Sequence, residues 1–336
     1  MARPGSKQAG RDTGRALEQA KRCATGRATG RTFTALIALA LVLGAVVSGC
    51  ARETAPGDHN TAHDPGRGDN ETGLPTVSEN LPDAFRPHPD FDLTLGELRD
   101  ILEGVSGDIR GPILATPQAF LHLTAEILEQ SPELLRLVDR RHRLPEDYEP
   151  TDLVDLQEYG DRLTLNREGL SLRLVVMPDL LAMVEAAAQD GVVLDLSSTY
   201  RSYAYQEWLF DYWVEELGRE RAERSSARPG ASQHQLGTAI DFGSITGPFA
   251  VHPAGRWLAA NAWEYGFSLS YPRGYEDITG YIFEPWHFRY VSRPATRMER
   301  EYFGGIQQFL LEFWHDREQY FRERYRSRRG SPGSGT

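Results

Sequence analysis

The chain has 336 residues, a formal net charge of −11 and 40% hydrophobic residues, enough for an ordinary hydrophobic core. The acidic balance argues against nucleic acid as a partner, since nucleic acids select basic surfaces. The cysteines are Cys23 and Cys50 and the lysines are Lys7 and Lys21. Residues 51–336 therefore contain no disulfide, no cysteine nucleophile and no lysine for a Ser-x-x-Lys peptidase.

Residues 1–49 are typical of an export signal. They are basic and include an apolar run, residues 33–47, that is too short for an ordinary transmembrane helix. The run ends in Val47-Ser48-Gly49-Cys50, which resembles a bacterial lipobox, so Cys50 is predicted to be lipidated as the mature N-terminus. An uncleaved N-terminal anchor is the alternative. We expect an exported bacterial lipoprotein, anchored to the membrane in the periplasm or cell envelope.

Residues 50–92 are rich in Pro, Gly, Asp, Asn and Thr and have no apolar periodicity, which predicts a disordered tether. Residues 93–143 are predicted to be a helical extension. Apolar residues recur at helical spacing from Leu93 to Leu102, and a second helix begins at Thr116 or Pro117.

Helical and strand patterns are mixed in residues 144–292. The predicted helices are 178–189, 204–223 and 257–265, and the predicted strands are 192–197, 238–242, 267–271 and 283–291. A charged helix pair follows at 293–329, and residues 330–336 form a disordered tail. Because the late strands are short and close in sequence, we predict an α+β fold with a small antiparallel sheet flanked by helices.

Two motifs carry the candidate chemistry: the run Ser232–Asp241, which contains His234, and the later Glu284-Pro285-Trp286-His287. Two imidazoles and a carboxylate can hold a catalytic zinc ion and leave one position open for water. Glu284 is a spare carboxylate that could take a proton from that water. Each residue alone has an ordinary interpretation, such as a core histidine or a capping aspartate. Together they predict a zinc hydrolase with His234, Asp241 and His287 as ligands.

From about Leu134 to about Phe313 the chain resembles the LAS metallopeptidases, and within them the VanY-type carboxypeptidases that trim peptidoglycan stem peptides. The resemblance rests on Leu144–Tyr148, Tyr200–Tyr203 with Gln206, Ala227–Gly230, the two motifs above, Ile278–Tyr281 and Glu284–Val291. It implies the LAS fold, the same three zinc ligands, and Glu284 as the catalytic base.

The resemblance also implies substrate contacts. Arg201 would hold the terminal carboxylate or the scissile carbonyl, Ser232 and Gln206 would bind substrate, and Trp286 would form a wall of the site. A structural ion pair for Arg201, a turn or cap for Ser232 and core packing for Trp286 are the alternatives. Many relatives have Glu at the position of Gln233 and Arg at that of Ser270; both departures could alter substrate choice.

The resemblance implies a monomeric zinc carboxypeptidase that removes the terminal D-alanine from stem peptides, with peptidoglycan as its partner. One alternative is an L,D-carboxypeptidase acting on shortened stems. Another is a non-catalytic lipoprotein that binds peptidoglycan, although the intact Glu284 argues against it. The sequence does not distinguish D,D from L,D cleavage.

Overall fold

The computed structural model describes residues 81–326, in which short helices and short strands alternate. The α-helices of this part are α1 (Leu95–Ile101), α2 (Gly107–Ala115), α3 (Pro117–Leu128), α4 (Met177–Gln189), α5 (Tyr203–Leu217), α6 (Arg219–Ser225), α7 (Pro253–Asn261), α8 (Glu276–Thr279), α9 (Arg293–Tyr302) and α10 (Gln307–Arg324). Its 3-10 helices are Pro132–Leu135, Leu156–Arg162, Leu174–Val176, Gln233–Leu236, Gly247–Val251 and Ala262–Tyr265. Its strands are β1 (Leu153–Asp155), β2 (Thr164–Leu165), β3 (Ser171–Arg173), β4 (Asp195–Ser198), β5 (Ala239–Phe242), β6 (Phe267–Leu269) and β7 (His287–Tyr290).

Five of the described strands form one sheet in the order β2–β4–β5–β7–β6. The three pairs from β4 to β6 are antiparallel, whereas β2 pairs with β4 in parallel. Strands β1 and β3 form a separate antiparallel pair. The predicted α+β fold with a small antiparallel sheet is confirmed, with one parallel edge strand in addition.

Strand β5 lies in the middle of this sheet and carries Asp241. All four of its residues are buried, and it is paired on both sides. Asp241 is opposite Ser198 of β4 and opposite His287 of β7. The sheet register therefore brings two of the predicted ligands side by side on adjacent strands.

The described residues contain two large hydrophobic cores. One packs α4 and α7 against the sheet, with Leu180, Phe242 and Phe288 among its members. The other joins the N-terminal helices to α9 and α10, and in it Phe120 of α3 meets Phe313 of α10 edge-on at 6.0 Å between ring centroids. The predicted helical extension and the C-terminal helices thus share one core, while the exact segment boundaries stay a prediction.

Several helix ends follow from local sequence signals. Thr94 and Glu97 form a capping box at the start of α1, and Pro117 occupies the first turn of α3 directly after Thr116. Helix α4 stops before Gly191, whose φ of 74° favours glycine. The start of α3 and the end of α4 agree with the prediction.

Other elements differ from the prediction. The helix predicted over 204–223 is two helices, because Gly218 adopts a φ of 77° and a ψ of 153° between α5 and α6. Helix α2 is not among the predicted helices, and it contains Pro112, a residue that disfavours a helix interior. The observed strands are shorter than the predicted ones: β4, for example, begins at Asp195 and β7 at His287.

Residues 81–92 were predicted as the end of the tether, but they lie on the helical core. Phe91 is 2% exposed, its ring lies 5.2 Å from that of Tyr325, and the Asp92 N–H donates to the Arg324 carbonyl at 2.8 Å. The prediction is wrong for this stretch because its apolar partner lies at the far end of the chain. No helix in residues 81–326 is long and apolar enough to cross a bilayer. The predicted export signal, Cys50, the rest of the tether and the tail at 330–336 lie outside the described residues.

Candidate metal centre and catalytic site

The three predicted ligands meet although they come from different elements. His234 lies in the 3-10 helix Gln233–Leu236, Asp241 on β5, and His287 at the first position of β7. His234 Nε2 is 3.2 Å from Asp241 Oδ2, and His287 Nδ1 is 3.0 Å from Asp241 Oδ1. One potential ligand atom from each residue lies within 4.8 Å of the others, and all three residues are buried. This is a possible metal site.

The orientation of His234 is set by the turns around it. Ser232 caps the 3-10 helix by accepting from the His234 N–H at 3.3 Å, and Gly237 closes it with a φ of 69°. The ring Nδ1 lies 2.6 Å from the Thr199 carbonyl. A carbonyl only accepts, so Nδ1 carries the hydrogen and Nε2 presents a lone pair to Asp241. Burial, followed by the charge of Arg201, lowers the pKa of His234 to about 4, so the ring is neutral at neutral pH.

A buried chain of amides determines the orientation of Gln233. Gln307, at the start of α10, donates from Nε2 to the Ser268 carbonyl at 3.3 Å, which leaves its Oε1 to accept from Gln233 Nε2 at 3.0 Å. Gln233 Oε1 then accepts from Ser270 Oγ at 2.7 Å. The two departures noted in the sequence, Gln233 and Ser270, are thus bonded to each other and buried.

The same chain determines the hydrogen on His287. Its Nε2 lies 3.3 Å from Gln233 Oε1, an acceptor, so Nε2 is the donor. In the neutral ring, Nδ1 then has no hydrogen and faces Asp241 Oδ1. Both imidazoles therefore direct lone pairs at one carboxylate. Among the described residues His234 Nε2 has no hydrogen-bond partner. A metal cation fits such a set of acceptors. The hydrogen bonds on the other ring nitrogens already orient both imidazoles toward its position.

Glu284 lies beside this set of acceptors. It is 8% exposed, and its Oε2 is 3.8 Å from His287 Nδ1. The His287 N–H donates to the Glu284 carbonyl at 3.2 Å across Pro285, so the turn brings both side chains to the same side. Burial first, and then the charge of Asp241, raise the pKa of Glu284 well above its ordinary value, with Arg201 opposing them. A carboxyl with a raised pKa is suited to proton transfer.

Arg201 follows the end of β4, and its side chain lies near Asp241. Its Nη2 lies 3.7 Å from Asp241 Oδ2, and its backbone N–H donates to the His234 carbonyl at 3.2 Å. The Nε atom is buried and has no hydrogen-bond partner among the described residues. The contact with Asp241 is long for an ion pair, so Arg201 keeps donors that a ligand oxygen could use.

Each of the other three residues predicted to contact substrate makes a contact within the protein itself. Ser232 caps the 3-10 helix, as one alternative held. Gln206 donates to the Ala227 carbonyl at 2.7 Å and so holds the loop that leads to His234. Trp286 packs against the core of the sheet, and its carbonyl accepts from the Phe242 N–H at 3.0 Å. Contacts of these residues with substrate stay predictions.

Sequence motifs did not reveal the supports of the two histidines. Thr199 orients His234 through its backbone carbonyl. Every residue type has such a carbonyl, so the sequence gives no sign of this contact. Gln307 lies 74 positions from Gln233 and belongs to a helix that the sequence assigned to packing. Only the proximity of Gln233 to His234 in the motif could have drawn attention to its amide.

Known proteins resemble the part of the chain that carries this site. The VanY family, described as D-alanyl-D-alanine carboxypeptidase, matches residues 169–293. The putative carboxypeptidase YodJ of Bacillus subtilis (strain 168) is 38% identical over 178 residues, which cover 50% of this chain and 64% of YodJ. The bifunctional D-Ala-D-Ala dipeptidase and D-Ala-D-Ala carboxypeptidase VanXYC of Enterococcus gallinarum is 31% identical over 190 residues, covering 54% of this chain and 93% of VanXYC.

Two solved structures are also similar in sequence to part of this chain. The LdcB LD-carboxypeptidase is 34% identical, with a TM-score of 0.49, over 56% of this chain and 88% of that one. A mutant of the D,D-pentapeptidase VanY from the VanB-type resistance cassette, in complex with Zn(II), is 30% identical, with a TM-score of 0.44, over 54% and 98%. The chain spans 64%, 57% and 60% of the first three curated relatives it matches. With nearly all of VanXYC matched at 31% identity, the chain belongs to the VanY D-alanyl-D-alanine carboxypeptidase family.

Proposed function

We propose that the protein is a zinc-dependent carboxypeptidase that removes the terminal D-alanine from peptidoglycan stem peptides. The observation that carries the proposal is the convergence of His234, Asp241 and His287, all buried, with Glu284 and Arg201 beside them. Family membership supports the reaction class, because relatives of this family are named D-alanyl-D-alanine carboxypeptidases.

The donor set suits zinc. Two neutral imidazoles and one carboxylate are ordinary zinc ligands, and three protein ligands leave a position for substrate or water. When bound, zinc would supply a Lewis acid that polarises the scissile carbonyl and makes water more acidic.

Glu284 and Arg201 have complementary roles in this proposal. Glu284 takes a proton from the attacking water on one carboxylate oxygen and passes it to the nitrogen of the leaving amine. Arg201 donates from its guanidinium to the terminal carboxylate or to the developing oxyanion. The buried Nε of Arg201, which has no partner within residues 81–326, supports a ligand oxygen at this place.

For the whole protein, we propose a monomeric lipoprotein of the bacterial cell envelope, anchored through Cys50. The lipobox-like sequence before Cys50 supports this location, and the acidic composition argues against a nucleic-acid partner. Mass spectrometry of the intact protein isolated from membranes tests the anchor: a lipid-modified N-terminal Cys50 is expected, and an unmodified chain that begins at Met1 contradicts it.

The function is tested with a stem peptide that ends in D-Ala-D-Ala and with its C-terminal amide. The parent protein should cut the acid with loss of one D-alanine, and cut the amide at least about 10-fold more slowly, because the amide leaves the charge of Arg201 unpaired. Arg201→Ala should remove most of this difference, whereas Arg167→Ala, in an exposed turn, should keep it.

The masses of the products distinguish the alternatives. Cleavage confined to stems that have already lost one D-alanine identifies an L,D-carboxypeptidase. Binding without hydrolysis identifies a peptidoglycan-binding protein. Equal rates for acid and amide in the parent protein contradict an exopeptidase.

A further inference from the structure

A polar cavity lies next to the candidate site. Its volume is about 210 Å³, and its lining includes Arg140, Arg143, Glu223, Arg228, Ala231 and Tyr281. Three guanidinium groups thus face one carboxylate, in a chain whose formal net charge is −11. A local excess of positive charge in an acidic protein favours an anionic ligand.

The arginines are held in place by specific contacts. Arg140 lies over the ring of Tyr281, with its guanidinium carbon 4.9 Å from the centroid, and donates to the Glu223 carbonyl. Gly280 leaves room for it, since a Cβ there would come within 2.9 Å of Arg140 Nε. Arg228 pairs with the Glu223 carboxylate. The one carboxylate of the lining is therefore already engaged.

The remaining polar groups have capacity for a ligand. The Nε of Arg143 donates to the Arg140 carbonyl at 3.4 Å, and Arg143 makes no ion pair within the described part of the chain. The backbone that carries it is fixed, because the Leu144 N–H donates to the Gly230 carbonyl at 2.8 Å. Tyr281 is 4% exposed, and its hydroxyl has no hydrogen-bond partner among residues 81–326.

The cavity is close to the metal ligands. Ala231 directly precedes Ser232, the cap of the 3-10 helix that carries His234. The ring of Tyr281 lies 4.9 Å from that of Tyr271, which lies 4.8 Å from that of His287. An extended peptide advances about 3.3–3.6 Å per residue, so the cavity is about two to four residues from a scissile bond at the metal site.

We propose that this cavity is a substrate subsite that binds a free carboxylate located about two to four residues before the cleaved bond. The proposal rests on the proposed function. A carboxypeptidase leaves one residue after the scissile bond, so a group that reaches the cavity belongs to the N-terminal part of the peptide. Guanidinium groups bind carboxylates through paired hydrogen bonds, whereas a neutral carboxamide lacks the charge.

The test compares two peptides that share the D-Ala-D-Ala end and differ only upstream, where one has a carboxylate and the other a carboxamide. With the full-length parent protein, kcat/KM should be about 10-fold higher for the carboxylate peptide, mostly through KM. Arg143→Gln and the double variant Arg143→Gln/Arg228→Gln should lower that ratio toward one. The exposed Arg167→Gln should leave the ratio unchanged. Arg143→Gln breaks no ion pair with Glu223, so its effect is separable from a loss of folding, which thermal unfolding of each variant measures.

Equal kcat/KM for the two peptides in the parent protein overturns the subsite, as does a ratio that both variants retain. In either case removal of the terminal D-alanine still stands, because both peptides are cut. If neither peptide loses its terminal residue, the proposed function fails instead.

Discussion

Glu284 and Asp241 are two buried carboxyl groups in different surroundings. Burial and the charge of Asp241 raise the pKa of Glu284. Asp241 instead faces the lone pairs of His234 and His287, so its carboxylate and the two imidazoles form one set of acceptors. Neighbouring carboxyls in different surroundings have separate chemical roles. Asp241 suits a cation, and Glu284 can gain and lose a proton.

Glu284→Gln tests this division. The substitution keeps the size of the side chain and removes the base, so hydrolysis should fall by about 10²–10⁴-fold. Bound zinc should stay near the parent value, because Glu284 is not assigned as a ligand. Zinc content and kcat/KM are measured on the same samples. Loss of zinc in this variant makes Glu284 a ligand and contradicts the assignment.

Gln233 is a positioning residue, since it fixes the ring of His287 through Nε2. Gln233→Ala removes the acceptor and leaves Nδ1 less well oriented, which should weaken zinc affinity by about 10–100-fold. Zinc affinity is measured by competition with a coloured chelator. Gln307→Ala should have a smaller effect in the same direction, because it acts through Gln233. Gln319→Ala, at an exposed position of α10, is the control and should leave affinity unchanged; equal affinity in all of these variants contradicts the role.

At the scale of elements, local signals predicted the helices that begin and end with caps, and they missed the elements that depend on distant partners. Thr116-Pro117 marks the start of α3, and Gly191 marks the end of α4. Both signals are local in sequence. Strand β2 has two residues and exists because β4 lies beside it. At the candidate site, the ligand types and spacing were visible in the sequence. The bond from Gln307 to Gln233 was not, because it depends on how α10 packs against the sheet.

Helix α9 carries a further buried carboxyl group, Glu299. Burial raises its pKa from 4.5 to about 7, and its Oε2 has no hydrogen-bond partner in the described part of the chain. The unfolded chain loses this proton near pH 4.5 and the folded chain near pH 7. Between these values the folded state binds more protons, so the free energy of unfolding falls as pH rises and then levels off. At about 1.4 kcal/mol per unit, the full effect is roughly 3 kcal/mol.

Glu299→Gln should remove this dependence. Relative to the parent, the variant should gain stability between pH 5 and pH 8, because the parent must ionise a buried group and the variant does not. Urea unfolding at both pH values measures the difference. Glu301→Gln, on the exposed side of α9, should behave as the parent does. An identical pH dependence in parent and Glu299→Gln contradicts the assignment.

At the scale of the whole molecule, the helical core and the site are connected. The N-terminal helices pack on α9 and α10, and the first residue of α10 is Gln307, which orients Gln233. The N-terminal helices therefore stabilise the element that supports His287. Residues 81–326 act in this respect as one unit rather than as a catalytic domain with an appendage.

Composition predicts how the protein responds to β-lactams. Beyond Cys50 the chain has neither cysteine nor lysine, and so lacks the Ser-x-x-Lys pair that β-lactams acylate. Incubation with penicillin should leave the intact mass unchanged and inhibit hydrolysis little, while a serine D,D-carboxypeptidase treated in parallel gains the acyl mass. A stable penicilloyl adduct on this chain would show that a serine nucleophile operates.

The central claim is that His234, Asp241 and His287 hold one zinc ion that hydrolysis requires. The most direct measurement removes metal with a chelator, adds zinc back in steps, and follows bound zinc and release of D-alanine together. Activity should be absent without metal and rise in proportion to bound zinc until about one ion per chain is reached. Asp241→Ala should neither bind that ion nor release D-alanine. Full activity of the metal-free protein, or unchanged zinc binding by Asp241→Ala, would contradict the claim.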